Sequence, residues 1–382
     1  MKKIIIVGPA YPYRGGNSLF VSFVYDILKN NFDVKLYSYK LLYPSILFPG
    51  KTQYDESGKT IKQAPNERLV NSINPFNWIK VASLIKKENA DLIVFDWWHP
   101  FFSFCHFTIS FLIKSYYKNK ILFITENVIS HEGNAVDKIL TKFGLSNASA
   151  FLALSEKVEN DLKFVAKQRK VYRSELPIYD CYNFDEKKKL TSTKKDLGFD
   201  EDSKLLLFFG YVRKYKGLDL LIDALAELIK KDNSYKLLVV GEFYDDEKYY
   251  HDKIKSLKLD KSVKTLNKFI SNEEVAKYFE PADLVVLPYR SATQSGILNL
   301  AYGFLKPVLV TDVGGLAEFV DNGKTGYVIK PDSQKDLVDG IINFFRQRQN
   351  VNFAENIRNR VSKNSFNNLP SLFEEIISDS EK

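Results

Sequence analysis

Residues 287–318, LPYRSATQSGILNLAYGFLKPVLVTDVGGLAE, decide the fold. They begin where the apolar run Asp283-Leu-Val-Val-Leu-Pro288 ends, a run of the length and character of a buried strand. A polar loop, 289–295, follows. Gly296-Ile-Leu-Asn-Leu-Ala-Tyr-Gly-Phe304 predicts a helix whose apolar face is Ile297, Leu300, Ala301 and Phe304. Lys306-Pro-Val-Leu-Val-Thr311 predicts the next strand, and Gly314-Gly315 the turn that leaves it. Strand, loop, helix and strand make a βαβ unit, so the sheet is expected to be parallel. Ligands of such sheets gather beyond the carboxyl ends of the strands. Residues 291–296 lie there, at a helix start. Free backbone N–H groups and the helix dipole favour an anion at that place, phosphate foremost. Ser295 is also suited to a plain helix cap.

The same pattern extends on both sides. Leu205-Leu-Leu-Phe-Phe-Gly210 opens the βαβ series in the second half, with further strands at 236–240, 263–266, 284–287 and 308–311. Gly210-Tyr-Val-Arg-Lys-Tyr-Lys-Gly217 follows the first of them and places three cations at the carboxyl end of the sheet. Cations there bind a diphosphate and stabilise it as it leaves; isolated lysines in a solvated loop are the plainer reading. In the first half, strands are expected at 2–7, 33–39, 91–95, 121–125 and 148–153. Helices are expected at 17–30 and 159–167, with Ser155 as N-cap. Residues 179–203 are polar and lysine-rich and read as a linker. The tail is helical at 333–347, 353–361 and 370–378.

Composition narrows the class. A chain of 382 residues, 45% of them hydrophobic, can fill two cores. The net charge of +8 suits anionic substrates or an anionic membrane face, and no single-sign block is long enough for a nucleic-acid tail. Cys105 and Cys181 are the only cysteines, too few for a disulfide framework or a four-cysteine metal site, so a reducing, cytoplasmic setting is expected. The opening MKKIIIVG has too short an apolar run for a signal peptide. Neither a Gly-x-Gly-x-x-Gly nor a GxxxxGK[ST] motif occurs. Of the four histidines (99, 106, 131, 251) only His99 and His106 are spaced as a pair, so no metal is expected.

Several of these stretches resemble the family 4 retaining glycosyltransferases, which have the GT-B fold. Lys306-Pro307-Val308, Thr311-Asp312, Gly314-Gly315, Glu318, Gly323-Lys-Thr-Gly326 and Lys216-Gly217 match that family's pattern, as do Gly241-Glu242 and Asn272-Glu273-Glu274-Val275. The match runs through most of the C-terminal half and more loosely through the rest. The resemblance implies an α/β chain with two doubly wound Rossmann-like domains and parallel sheets facing across a cleft. An acceptor-side domain would span 1–185, a donor-binding domain 186–352, and a helix from about 353 to 382 would cross back to the first.

The resemblance also implies a donor site. Gly15 and Gly16, after Arg14, would approach the diphosphate from the first domain. Arg213 and Lys216 would hold it in the second, with the Lys216 side chain pointing into the cleft. Gly241, Glu242, Phe269 and Ile270 would line the nucleotide, and Gln294, Ser295, Gly296, Ile297 and Asn299 the phosphate and sugar. There are departures. Two glutamates usual in the family fall at Ala292 and Leu300, its usual arginine at Tyr211, and its usual histidine at Glu126. Glu126, His131 and Glu132, beside Asn127, are therefore candidate catalytic groups. Asp96, in Asp-Trp-Trp-His-Pro100, is another, with Trp97 or Trp98 able to stack on a sugar.

The expected reaction is metal-independent, retaining transfer from a UDP- or GDP-linked sugar to a glycan, lipid-linked or other hydroxyl acceptor, in surface polysaccharide or glycoconjugate synthesis. A nucleotide-sugar epimerase or hydrolase, or a non-catalytic partner subunit, are the other readings. On the acceptor side, residues 41–54 form an aromatic, proline-rich loop. FFSFCHFTISFLI (101–113) is too short to span a membrane and reads either as a buried helix or as one that lies on a membrane's inner face.

Overall fold

Parallel strands covered on both faces need near-continuous apolar sequence, and this chain supplies it twice. In the computed structural model, residues 1–48, 52–59, 61–128, 135–166, 168–182 and 192–382 are described. The chain divides into two units: Met1–Asp55, Lys62–Pro177 and Asn364–Lys382 form the first, and Glu56–Ile61 with Ile178–Lys363 the second. The break after Pro177 precedes the expected one at 185, and the return to the first unit begins at Asn364 rather than at 353.

The first unit runs β1 (Lys3–Val7), α1 (Gly16–Leu28), β2 (Asp33–Leu41), β3 (Glu67–Asn71), α2 (Pro75–Lys87), β4 (Leu92–Trp97), α3 (Ser103–Ile113), β5 (Ile121–Thr125), α4 (Ala135–Gly144), β6 (Ala150–Ala153), α5 (Glu156–Val165) and β7 (Lys170–Arg173). Its sheet has the order β3-β2-β1-β4-β5-β6-β7, all parallel. Strand order reverses between β1 and β4, the switch point where such sheets open a crevice. Alternate residues of neighbouring strands share one face: Ile5 and Val7, Ile93 and Phe95, Ile121 and Phe123 are all buried in one core. Ser155 caps α5 by accepting from the Val158 N–H, as expected, although the helix starts three residues early.

The second unit runs β8 (Lys204–Phe209), α6 (Leu218–Lys231), β9 (Tyr235–Val240), α7 (Glu247–Ser256), β10 (Val263–Leu266), α8 (Val275–Phe279), β11 (Leu284–Leu287), α9 (Gly296–Gly303), β12 (Val308–Thr311), β13 (Gly326–Ile329), α10 (Gln334–Gln347) and α11 (Phe353–Val361). Its order is β10-β9-β8-β11-β12-β13, again parallel, with the switch point between β8 and β11. The last helix, α12 (Leu369–Ser380), lies on the first unit. Phe366 packs on Phe20 and Phe23, the Tyr172 hydroxyl donates to Asp379 at 2.7 Å, and Lys170 pairs with Glu375 at 3.0 Å.

Two expectations change. Helix α9 does not bury the stripe 297/300/301/304. It buries Leu298 through Tyr302 and leaves Ile297 and Phe304 half-buried. The helix is enclosed on several sides: the Tyr302 hydroxyl bonds Phe319 O at 3.0 Å and Thr325 Oγ1 at 2.7 Å. A single-face pattern does not describe an enclosed helix. The run 101–113 becomes a short 3-10 turn and then α3, which buries Cys105, His106, Ile109 and Ile113 but leaves Phe104 and Phe111 exposed. No helix among the described residues is long and apolar enough to cross a membrane.

Candidate active site

The second unit gathers its loops at the carboxyl ends of β8, β9 and β11. Close backbone approach makes this possible. Gly217 has φ +71°, and a Cβ there would stand 2.1 Å from the Pro288 carbonyl oxygen. Gly241 has φ +142°, and its Cβ would stand 2.1 Å from the Gly210 carbonyl oxygen. Any side chain at either position forces the loops apart. Arg290 ties the same loops together. Its guanidinium meets both Asp219 oxygens at 2.8 and 2.9 Å, the Lys214 carbonyl at 2.8 Å and Asp332 at 2.8 Å. The planar fork suits this bidentate grip.

Within the gathered loops, Lys216 is not the solvated lysine of the plainer reading. It is 8% exposed, with its ammonium 5.5 Å from the centre of the Tyr289 ring. Burial, and then the nearby Arg213 charge, bring its pKa down to about 8. No carboxylate pairs with Lys216 among the described residues. The Arg213 guanidinium lies over the Tyr244 ring, 5.2 Å from its centre. Two cations are therefore held close, one of them largely dehydrated, an arrangement that favours an anion.

Helix α9 begins beside them. Ile297 Cδ1 and Lys216 Nζ lie 3.3 and 3.4 Å from where a Gly210 Cβ would be. The first turn of α9 has no acidic residue. The Ser295 side chain makes no capping bond; its carbonyl accepts, from the Leu298 N–H at 3.1 Å and the Asn299 N–H at 3.5 Å. Its hydroxyl is thus not spent on the helix. Gly296 lacks a positive φ, and a Cβ there would stand 3.2 Å from a Tyr179 ring carbon. Gln294 Oε1 is buried with no partner among the described residues. Asn299 and Glu242 are buried, as is Ile270, while Phe269 is half-buried. Phe269 and Ile270 follow β10, two strands away from β8. Ala292 and Leu300 are each 5% exposed, so the two positions that lack carboxylates are packed.

In the first unit the carboxyl ends of β1, β4 and β5 carry the acids. Gly15 is the N-cap of α1 with φ +106°, and among the described residues nothing beyond its chain neighbours lies within 4 Å of where a Cβ on it or on Gly16 would be. Asn17 Nδ2 donates to Glu126 Oε1 at 2.8 Å. Asp96 and Glu126 are buried. Burial and mutual repulsion hold Asp96 well above the ordinary carboxyl range, and burial brings Glu126 up to about 7. Trp97 is fully buried against His106 and Phe123, so it cannot stack on a sugar. Half-buried Trp98 donates to the Tyr43 hydroxyl at 3.0 Å. His99 caps a 3-10 turn, and His106 bonds the Tyr39 hydroxyl at 2.7 Å. His131 and Glu132 lie outside the described residues.

Sequence reasoning missed Asn17, Tyr289, Arg290 and Asp219. Two signals were present: Asn17 is the first polar side chain after Gly15-Gly16, and Arg290 the first after the strand that ends at Leu287. Two cavities, of about 380 and 590 Å³, sit elsewhere, at the starts of β4–β7 and of β11–β12.

Residues 191–365 match the family described as Glycosyl transferases group 1. The chain is 25% identical to an N-acetyl-alpha-D-glucosaminyl L-malate synthase of Bacillus anthracis, over 74% of this chain and 72% of that protein. It is also 25% identical to a lipopolysaccharide 1,2-N-acetylglucosaminetransferase of Salmonella typhimurium, over 68% and 76% of the two chains. Among solved structures, Anabaena Alr3699/HepE in complex with UDP is similar at a TM-score of 0.74 and 17% identity, over 99% of this chain and all of that one.

Proposed function

Taking the chain as a glycosyltransferase of the GT-B fold, we propose that it transfers a sugar from a nucleotide diphosphate sugar, with retention and without a metal ion, to a hydroxyl of a glycoconjugate. The observation that carries the donor half is Lys216, a buried cation with no carboxylate partner among the described residues, beside Arg213 and the start of α9. An incoming diphosphate supplies the missing negative charge, and the N-terminus of α9 adds backbone donors. Gly296 leaves room for close approach, and Gln294, Ser295 and Asn299 meet sugar hydroxyls in place of the absent carboxylates. Glu242, Gly241, Phe269 and Ile270 serve the nucleoside end. Gly15 and Gly16, with nothing crowding them, offer bare backbone to the donor.

In the reaction, the acceptor oxygen bonds to the anomeric carbon as the bond from that carbon to the phosphate oxygen breaks. The acceptor's proton passes to the departing diphosphate on the same face, so no strong protein base is required. Lys216 and Arg213 stabilise the charge that develops on the leaving group. Glu126 takes the place of the family's usual histidine as a hydrogen-bond partner for a substrate hydroxyl.

The acceptor is proposed to be membrane-borne. Helices α2, α3 and α4 are neighbours, and they expose Phe76, Ile79, Phe104, Phe111 and Ile139. Lys80, Lys87, Lys114, Lys118, Lys138 and Lys142 are exposed around them. Exposed apolar side chains and lysines on the same neighbouring helices suit an anionic bilayer surface.

The test is nucleotide release from a panel of UDP- and GDP-linked sugars, with and without glycan and lipid-linked acceptors, followed by product analysis. The Anabaena complex makes UDP sugars the first to try. Release that rises with acceptor, together with an α-linked product from an α-linked donor, is expected. A sugar altered without acceptor, or binding with no release, refutes the reading.

A further inference from the structure

Asp96 and Glu126 do not act as two independent carboxylates. Strands β4 and β5 pair in register, with Asp96 opposite Ile124 and Trp97 opposite Thr125. The Glu126 N–H then donates to the Trp97 carbonyl at 2.9 Å, which places Glu126 against the end of β4. Asn17 arrives from the third direction, the first turn of α1 after β1, and its amide donates to Glu126 Oε1 at 2.8 Å. Because β1, β4 and β5 are consecutive in the sheet, three adjacent strands deliver one cluster.

The cluster has little access to water: Asp96 is 1% exposed and Glu126 9%. Among the described residues neither Asp96 oxygen has a hydrogen-bond partner, and the ionisable group that bears on Asp96 is Glu126. Among the described residues, the groups that bear on Glu126 are Asn17 from α1, Asp96 from β4 and the Tyr43 phenol after β2, and none of these three is a cation. Two charged carboxylates cannot coexist in such surroundings, so one of them keeps its proton. Asn17 decides which. The side-chain N–H₂ of Asn17 only donates, so the bond it makes favours a charged, accepting Glu126. The remaining proton goes to Asp96, which then also donates toward Glu126.

We propose that Asn17, Glu126 and Asp96 form one hydrogen-bonded unit that holds a single proton on Asp96, with Asn17 as the positioning residue that keeps Glu126 ionised to accept a bond from a substrate hydroxyl. The role toward substrate rests on the transferase reading above; the internal arrangement of the unit does not. The directions of titration agree with it. Burial raises both acids, and the bonds from Asn17 and Asp96 draw Glu126 back down.

The test uses the full chain and two readouts. The first is carboxyl titration by difference infrared spectroscopy or ¹³C NMR on wild type, Asn17→Ala, Asn17→Ser, Asp96→Asn and Glu126→Gln. One carboxyl is expected to titrate near neutrality and to vanish in Glu126→Gln. A protonated-carboxyl band that persists above neutral pH is expected to vanish in Asp96→Asn. Asn17→Ala should move the Glu126 titration up by about one pH unit, the size of one charge-assisted hydrogen bond. Asn17→Ser, which retains a donor and guards against misfolding of the alanine variant, should recover part of that shift.

The second readout is the pH profile of kcat/KM, whose acidic limb should move with the titration. An unchanged titration in both Asn17 variants, or no protonated band above neutrality in wild type, overturns the proposal. If the titrations shift as expected while Glu126→Gln keeps full activity, the unit stands and its part in transfer falls.

Discussion

Lys216→Met separates what the donor loop contributes to folding from what it contributes to binding. Methionine keeps the aliphatic stem and removes the charge. In the free protein that charge is a burden: a lysine brought from 10.5 to about 8 has lost interaction free energy in its charged form. At 1.36 kcal/mol for each pH unit, the difference is about 3 kcal/mol. Lys216 is almost fully buried, so solvent screening removes little of this. The variant without ligand should therefore be more stable than wild type at neutral pH, by up to about 3 kcal/mol, or roughly 2–4 °C in Tm for each kcal/mol. The sign follows from proton binding. Between about 8 and 10.5 the unfolded chain holds more protons than the folded one, so wild-type stability rises across that window. The advantage of Lys216→Met should be full below pH 8 and vanish by about 10.5.

With a nucleoside diphosphate the order reverses. The anion compensates the buried cation in wild type and has no such partner in the variant. A loss on the order of 2–3 kcal/mol in binding is expected, the size of a charge-assisted contact to phosphate. The assay is thermal unfolding from pH 6 to 11, with and without millimolar UDP and GDP. A variant less stable than wild type at every pH, with its ligand-induced shift intact, refutes the argument and makes Lys216 a structural residue.

Three further outcomes follow from the same site. Gly296→Val should lower nucleotide affinity at least tenfold, about 1.4 kcal/mol; because Gly296 lacks a positive φ, Gly296→Asn should not rescue it, and adding Tyr179→Ala tells crowding of that ring from exclusion of phosphate. Arg290→Lys should loosen the grip on Asp219 and the Lys214 carbonyl, raising KM for the donor several-fold with a stability loss on the order of 1–3 kcal/mol; an unchanged KM in a folded variant counts against the clasp. Phe111→Asp with Ile139→Asp should abolish co-flotation with vesicles rich in anionic lipid while nucleotide binding persists, and retained flotation would move the membrane face elsewhere.

What the sequence made legible, and what it did not, divides along physical lines. Central strands β1, β4, β5, β8, β9, β11 and β12 are buried on both faces and read directly as apolar runs. The strands that escaped, β3, β7 and β13, all lie at sheet edges, where burial is partial and the apolar signal thins to two or three residues. The site behaves similarly. Lys216, Ser295 and Gly296 could be read from the motifs as lying on loops that follow strands, because a loop's place after its strand is a local property. Whether Lys216 is exposed is not local: it depends on Tyr289, 73 positions further along the chain, and on a Gly210 backbone that leaves space for the amine.

Protonation is less local still. Asp96 and Glu126 are each visible as acids, yet nothing in either segment points to the shared proton proposed for them. That follows only when β4 and β5 pair in register and Asn17 comes in from β1, 109 positions before Glu126. Beside the histidine that the resemblance would place there, Glu126 then has a consistent physical reading. A histidine brings its own ring donor to a substrate, whereas a buried carboxylate needs donors on its other sides to remain charged. Asn17 and a protonated Asp96 are those donors. Substituting histidine at Glu126 in this chain should therefore leave the Asn17 amide and the Asp96 carboxyl facing a group with a different balance of donors and acceptors, and it should act well only when Asn17 is changed with it.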